Sequence, residues 1–124
     1  MSGSSLDGLD LAYCEFNYHE KWHYKIVDAI TIKYPEEWII ALESMPHKSA
    51  EKLIEFDIKY GNYLGNKVLD FIKQKDYKPE IISSHGHTIF HNPEAGYTFQ
   101  LGHGHAIAIT TGIKTITDFR IGDI

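Results

Sequence analysis

Cysteine is almost missing from this chain: Cys14 stands alone. An internal disulfide framework is therefore excluded, and such sparing use suits a reducing, cytoplasmic setting. Cys14 falls in a stretch read as a strand, so it is taken as an inert buried thiol and not as a nucleophile. No run of 18 apolar residues occurs, so no membrane-spanning helix is expected. The N-terminus lacks a basic region followed by an apolar core, so no signal peptide is expected either. Basic residues are also short. The chain has 12 Lys and Arg against 17 Asp and Glu, a formal charge of −5, and no basic run. That balance argues against a general nucleic-acid binder; it does not exclude ATP, which arrives with a metal. Repeats and low-complexity tracts are absent. What is present suffices for a core: 43% hydrophobic and 13% aromatic residues in a chain of 124, which is one domain by size.

The chain opens on MSGSSLDGLD, with two glycines, three serines and two aspartates in ten residues. Glycine reaches backbone angles closed to other residues, serine hydroxyls donate and accept, and successive backbone N–H groups can form an anion-binding concavity. Asp7 and Asp10 repel a bare phosphate but can hold one through Mg²⁺, which takes one or two carboxylates plus phosphate oxygens. On composition alone the stretch reads first as a polar N-terminal turn or cloning remnant, and second as a nucleotide-phosphate loop. It is not a Walker loop, since no Gly-Lys-Ser/Thr follows and a strand, not a helix, comes next.

Residues 9–16 alternate toward one mostly apolar face and read as a strand, 17–21 as a turn, and 22–34 as one long strand or two broken near Asp28. Pro35 followed by Glu36 and Glu37 opens a short helix over 35–45. After a break at 46–48, Ser49 caps a second helix over 50–74, whose Leu53, Phe56, Tyr60, Leu64, Val68 and Phe71 form one apolar stripe. Gly61 and Gly65, one turn apart, imply close approach of another backbone, expected to be the sheet. Residues 80–84 read as a short central strand parallel to an earlier one. Residues 89–90 and 97–101 flank a turn and form a hairpin. Residues 102–111 read as a helix capped by Gly112, and 113–117 as a last strand. The fold class expected is α/β, a mixed sheet flanked by helices.

Three polar clusters fall at turns or strand ends. His85, Gly86 and Thr88, in Ser83-Ser-His-Gly-His-Thr88, sit at the carboxyl end of a predicted central strand, where ligands of α/β sheets bind. Asp118 and Arg120 follow the last strand and pair a carboxylate with a fork-shaped cation suited to carboxylate or phosphate. The third is the N-terminal loop. Each also has a plain reading, as a strand-end turn, a local ion pair or a turn cap. His85, His87, His91, His103 and His105 raise a rival, a His-rich metal-binding protein, because residues i and i+2 of a strand share a face. The long helix over 50–74 argues against a small metal-binding barrel.

Taken together, these motifs resemble a known family. MSGSSLDGLDLA is similar to the N-terminal phosphate loop of anhydro-N-acetylmuramic acid kinases, SSHGHT to their strand-end motif, FQLGHGHAIAITTGI to their Gln-Ile-Gly segment, and TDFRIGDI to their Asp-Phe-Arg segment; FDIKYGNYLGNKVLDFI resembles one of their helices. The resemblance implies an actin-like ATPase, ribonuclease H-like half-fold, with Mg²⁺ and ATP used to open 1,6-anhydro-N-acetylmuramic acid with water and phosphorylate it in cell-wall recycling. It implies that Gly3, Ser4, Ser5, Asp7 and Gly8 cradle the ATP phosphates, with Asp7 acting through Mg²⁺. His85 and Thr88 would face the anhydro sugar, and Asp118 and Arg120 would line the same cleft. Ser4 stands for the family threonine, His87 for a glutamine, and Ile121 and Gly122 for further arginines. The family chain is about three times longer, so residues 1–124 are expected to be one N-terminal lobe without the C-terminal lobe, the catalytic aspartate or activity alone. An apolar face left by the missing lobe would favour homo-oligomers. A non-catalytic nucleotide- or sugar-binding or regulatory domain is the alternative from another class.

Overall fold

The computed structural model describes residues 6–124. It begins with a long antiparallel hairpin, β1 (Leu9–His19) and β2 (Lys21–Ile32), paired from Leu9↔Ile32 to His19↔Lys21. The turn expected over 17–21 shrinks to Glu20, which takes a φ of 61°. β2 is one strand, but the register slips between Tyr13↔Asp28 and Cys14↔Ile26, leaving Val27 as an extra residue. One extra residue turns the side chains beyond it to the other face. In the inner half, Leu9, Leu11 and Tyr13 share a face with Ile32, Ile30 and Asp28, and Leu9 is buried in the core. In the outer half the apolar residues lie on the opposite face, where Phe16, Tyr18, Trp22 and Tyr24 are 66–75% exposed.

Pro35 precedes α1 (Glu36–Ser44), with Glu36 and Glu37 in its first turn. A 3₁₀ turn, Met45–His47, leads to α2 (Ala50–Gln74). Ser49 caps α2 as expected: its Oγ accepts the Lys52 N–H at 3.3 Å. The α2 stripe forms the core. Phe56, Tyr60, Leu64 and Phe71 are buried, and Leu9, Leu42, Leu101 and Ile107 pack around the same stripe. Each such side chain contributes roughly 1.5–3 kcal/mol on burial. Within this core the Tyr34 and Tyr60 hydroxyls meet at 2.6 Å.

The remaining strands are short. β3 (Ile81–Ser83) pairs in parallel with β6 (Lys114–Ile116), so its partner is a later strand and not an earlier one. β4 (His87–Asn92) and β5 (Tyr97–Leu101) form the expected hairpin through a 3₁₀ turn, Pro93–Ala95. α3 (Gly104–Thr111) ends at Gly112, whose N–H donates to the Ala108 carbonyl from a left-handed conformation. A last 3₁₀ turn covers Phe119–Asp123. The class is α/β, but the described strands form three two-stranded ladders, β1–β2, β3–β6 and β4–β5.

The close approach implied by Gly61 and Gly65 is made by α3 and not by a sheet. A Cβ on Gly61 would stand 2.7 Å from the His103 carbonyl oxygen, and one on Gly65 would stand 2.8 Å from the Thr110 Cβ. Two helices pack through a pair of missing side chains, and this fixes where α3 begins.

Candidate functional site

The parallel register places Ser83 beside Ile116, so both chains leave their ladder at the same end. The Ser84 N–H donates to the Ile116 carbonyl at 2.9 Å and holds the two exits together. Ligands bind at this end of parallel strands because the connecting loops converge there. Three loops do so. In the first, the His85 ring lies 6.1 Å from the Phe119 ring and its Nδ1 is 2.9 Å from the Gly86 carbonyl oxygen. Gly86 has a φ of 70°, and a side chain there would collide with the Leu101 carbonyl, so only glycine lets this loop touch the next one.

The second loop is Gly102-His103. The helix expected from 102 starts at Gly104, with His103 as its N-cap; the His103 Nδ1 accepts the Ala106 N–H at 3.4 Å. Asp57 of α2 ties this loop down. Its Oδ1 accepts the Gly102 N–H at 2.7 Å and its main-chain carbonyl accepts the His103 N–H at 3.3 Å. The third loop is Thr117-Asp118. A Cβ on Gly104 would stand 2.6 Å from the Thr117 Oγ1, so this loop abuts the start of α3. Asp118 adopts a left-handed conformation at φ 60°, and its Oδ2 accepts the Thr117 hydroxyl at 3.0 Å.

Burial raises the Asp57 carboxyl above its ordinary range; the Gly102 N–H and His103 oppose this, and the Asp118 charge adds to it. Two carboxylates therefore feel each other across the loops. Asp57 is the residue that sequence reading missed. Its signal lay in the spacing 57, 61, 65, one carboxylate in line with two close-approach glycines on a single helix ridge.

The structure thus brings His85 and Asp118 into one loop cluster, with Arg120 in the turn just beyond. Arg120 pairs with Asp123, its Nε 3.4 Å from Oδ2. Thr88 lies in β4 opposite Gln100, and its Oγ1 is buried without a hydrogen-bond partner among the described residues. Of the N-terminal loop, Gly3, Ser4 and Ser5 lie outside the described residues. Asp7 is exposed and Gly8 is buried. Gly8 serves space and not backbone angle: a Cβ would stand 2.7 Å from the Ile32 carbonyl oxygen, and its φ is not left-handed. Asp10 accepts the Thr31 hydroxyl at 2.6 Å across the hairpin. Of the histidines, His103 and His105 approach each other, their ring centroids 6.4 Å apart, and others lie elsewhere. His87 is buried in β4, His91 contacts Thr98, and His103 caps α3. Among the described residues no three His, Cys, Asp or Glu side chains gather to hold a metal ion.

Loops that converge at the carboxyl ends of adjacent parallel strands are the ligand-binding arrangement of open α/β folds, and this chain is of the α/β class. Comparison with known proteins narrows this. A family model described as anhydro-N-acetylmuramic acid kinase matches residues 1–124. Proteins named anhydro-N-acetylmuramic acid kinase match the whole chain in several bacteria. The one from Acaryochloris marina is 34% identical over 131 residues, covering 100% of this chain and 35% of the relative. That from Crocosphaera subtropica is 36% identical over 132 residues, covering 100% and 34%. That from Vibrio parahaemolyticus is 30% identical over 132 residues, covering 100% and 35%. The chain belongs to the anhydro-N-acetylmuramic acid kinase family. It spans about a third of the length of the curated relatives it matches.

Proposed function

We propose that this chain is the N-terminal lobe of an ATP-dependent kinase acting on 1,6-anhydro-N-acetylmuramic acid in the cytoplasm, as part of cell-wall recycling. The observation that supports the reading is the parallel pairing Ser83↔Ile116, because the segments carrying His85 and Asp118 both leave the ladder at that end. In the reaction proposed, the oxygen of water adds to the anomeric carbon, the bond from that carbon to O6 breaks, and the freed O6 takes the γ-phosphoryl group of ATP. The products are N-acetylmuramic acid 6-phosphate, ADP and the proton that the attacking water gives up.

In this reading His85, Thr88 and Asp118 contact sugar hydroxyls, and Arg120 faces the sugar or the phosphoryl group. The unpartnered Thr88 Oγ1 supports a polar ligand, since a buried hydroxyl left without a partner is costly. Asp57 acts as a positioning residue by fixing Gly102 and His103. The donor set of the N-terminal loop suits a triphosphate: the hydroxyls of Ser4 and Ser5 and the backbone N–H groups of Gly3 and Gly8 would take phosphate oxygens, and the Asp7 carboxylate would take Mg²⁺. ATP supplies the phosphoryl group and Mg²⁺ neutralises its charge; phosphoryl transfer asks the protein mainly for positioning. With about a third of the relatives' length, this chain alone binds sugar but does not turn it over.

A thermal-shift titration tests the reading. A ligand selective for the folded state adds RT ln(1 + [L]/Kd), about 2.7 kcal/mol at a hundred times Kd. The anhydro sugar is expected to raise the melting temperature of the native chain, and His85→Ala and Asp118→Ala to remove most of that rise. No shift, or an equal shift in both variants, overturns the assignment of these loops to the sugar.

A further inference from the structure

The outer half of the β1–β2 hairpin stands clear of the core. Residues 15–27 are all exposed, so neither face of this ribbon is covered by the described residues. The two faces differ in character. One carries Phe16, Tyr18, Trp22 and Tyr24, each at least 66% exposed, with Ile26 at 59% beside them. The register sets the rings in cross-strand pairs, Phe16 opposite Tyr24 and Tyr18 opposite Trp22, with ring centroids 6.5 and 5.3 Å apart. The other face is polar: Glu15 lies opposite Lys25, Asn17 opposite His23 and His19 opposite Lys21. A two-stranded ribbon alone is marginally stable in water and gains independent stability by packing a hydrophobic face. This one has such a face.

We infer that this aromatic face is the interface of a homodimer, in which the ribbons of two copies pack face to face about a twofold axis. The area is sufficient. An aromatic side chain offers about 200 Å², so four rings exposed to this degree present roughly 550 Å² per copy and roughly 1,100 Å² for two. Ile26 carries the total past the roughly 1,200 Å² at which specific interfaces begin. Charge permits the approach. The chain as a whole carries −5, but in the ribbon Glu15 and Glu20 balance Lys21 and Lys25, so two ribbons meet without net repulsion. The shape is also self-complementary, as a twofold contact requires. With the ribbons antiparallel, the tilted Phe16–Tyr24 pair of one copy lies over the edge-on Tyr18–Trp22 pair of the other, and the symmetry repeats the contact. Faces of sheets pack in this way at about 10 Å. A sugar or a nucleic-acid base fits the patch less well. Stacking on either needs a flat ring platform, whereas the Tyr18 and Trp22 rings cross at 65°. Apart from the tyrosine hydroxyls and the Trp22 N–H, the face offers nothing to hydrogen-bond. The inference is independent of the sugar reading, since His85, Thr88, Asp118 and Arg120 all lie outside the hairpin.

Sedimentation equilibrium of the 124-residue chain, 14.2 kDa as a monomer, tests the dimer. The mass is expected to double as the concentration rises, and acrylamide quenching of the unaltered protein is expected to fall in parallel as Trp22 becomes shielded; half-buried Trp38 supplies a constant background. Trp22→Lys is expected to weaken the association at least about thirtyfold, as removal of a central aromatic anchor does. Ile54→Lys, at an exposed apolar residue of α2, is expected to leave it unchanged. Four results overturn the inference: a monomer at millimolar concentration, a dimer in which Trp22 stays fully quenched, equal association of Trp22→Lys and the parent, or a monomer whose Trp22 is shielded by vesicles of phosphatidylcholine and phosphatidylglycerol, which would make the face a membrane contact. The quenching arm uses the parent protein, so misfolding of a variant cannot account for its result.

Discussion

Substituting Gly61 by alanine sets two known magnitudes against each other. In a helix interior, alanine is favoured over glycine by about 1 kcal/mol, so on propensity alone Gly61→Ala stabilises α2. The packing says the reverse. The new Cβ would stand 2.7 Å from the His103 carbonyl oxygen and 3.0 Å from the Ala106 Cβ. Ordinary contact starts near 3.4 Å, so α3 must retreat by about 0.7 Å. The obstacle is backbone, which cannot swing aside as a side-chain tip can, and such overpacking costs about 1–3 kcal/mol. The expected net result is a loss of about 1 kcal/mol. Urea unfolding measures it: with a slope of about 1–3 kcal/mol/M, the midpoint falls by roughly 0.3–1 M. The retreat also drags His103 from its bond to Asp57, so the sugar-induced thermal shift should shrink in the same variant. A Gly61→Ala protein more stable than the parent by about 1 kcal/mol would show that α3 yields freely, and the account of the glycine ridge would fail.

Further outcomes are expected. Asp57→Ala leaves the buried Gly102 N–H without its acceptor and costs about 1–3 kcal/mol, read by thermal melting, whereas Asp57→Asn keeps an acceptor oxygen and costs less. Burial raises the Asp57 carboxyl above 3.8, so the protonated form suits the fold. Relative to Asp57→Asn, the parent is therefore best off below that pH and loses ground as pH rises through the raised value. Asp28 has the opposite sign. Hydrogen bonds from Lys75 and Tyr77 lower its carboxyl below 3.8, so its contribution is present above 3.8 and is lost as pH falls through the lowered value, and Asp28→Asn should flatten that acid limb. Asp118→Gly should be more stable than Asp118→Ala by about 1 kcal/mol, because only glycine takes the left-handed backbone at little cost. Because Cys14 lies opposite Ile26, Ile26→Cys should form a cross-strand disulfide on mild oxidation while Val27→Cys should not; thiol titration decides.

Where burial and local chemistry agree, the fold was readable from the residues. α2 shows this best: Ser49 supplies the cap, six apolar residues supply the stripe, and the helix spans 50–74 as read. Gly112 and the turn at 93–96 follow the same logic, since left-handed positions select glycine. Partners in space were harder. The pair Gly61 and Gly65 announces a close approach but does not say to what, and both a helix and a sheet present backbone. A three-residue strand such as β3 holds too few side chains to specify its neighbour, so its pairing with the later β6 and not an earlier strand could not be read. The site was legible in part for the same reason. His85 and Asp118 stand at strand ends, which local sequence marks, whereas Asp57 sits in mid-helix and gains its place only when α3 docks.

Val27 marks the limit of periodicity as a guide. From Trp22 to Ile32 every second residue of β2 reads Trp, Tyr, Ile, Asp, Ile, Ile, which suggests one face along the whole strand. β1 makes different demands. Its Leu9, Leu11 and Tyr13 turn inward, but beyond Cys14 the inward positions are Glu15, Asn17 and His19, while Phe16 and Tyr18 lie outward. A straight ladder would set the aromatic residues of β2 against the polar side of β1. Cross-strand pairs of like character are the unit of sheet stability, and inserting Val27 restores them: Phe16 meets Tyr24 and Tyr18 meets Trp22. The extra residue breaks the ladder locally, a cost confined to one position, while it rescues every pair beyond it. The bulge is thus a property of two strands read together; β2 read alone offered only a break near Asp28. It also lets one hairpin close the core with its inner half and carry an aromatic face outward with its outer half.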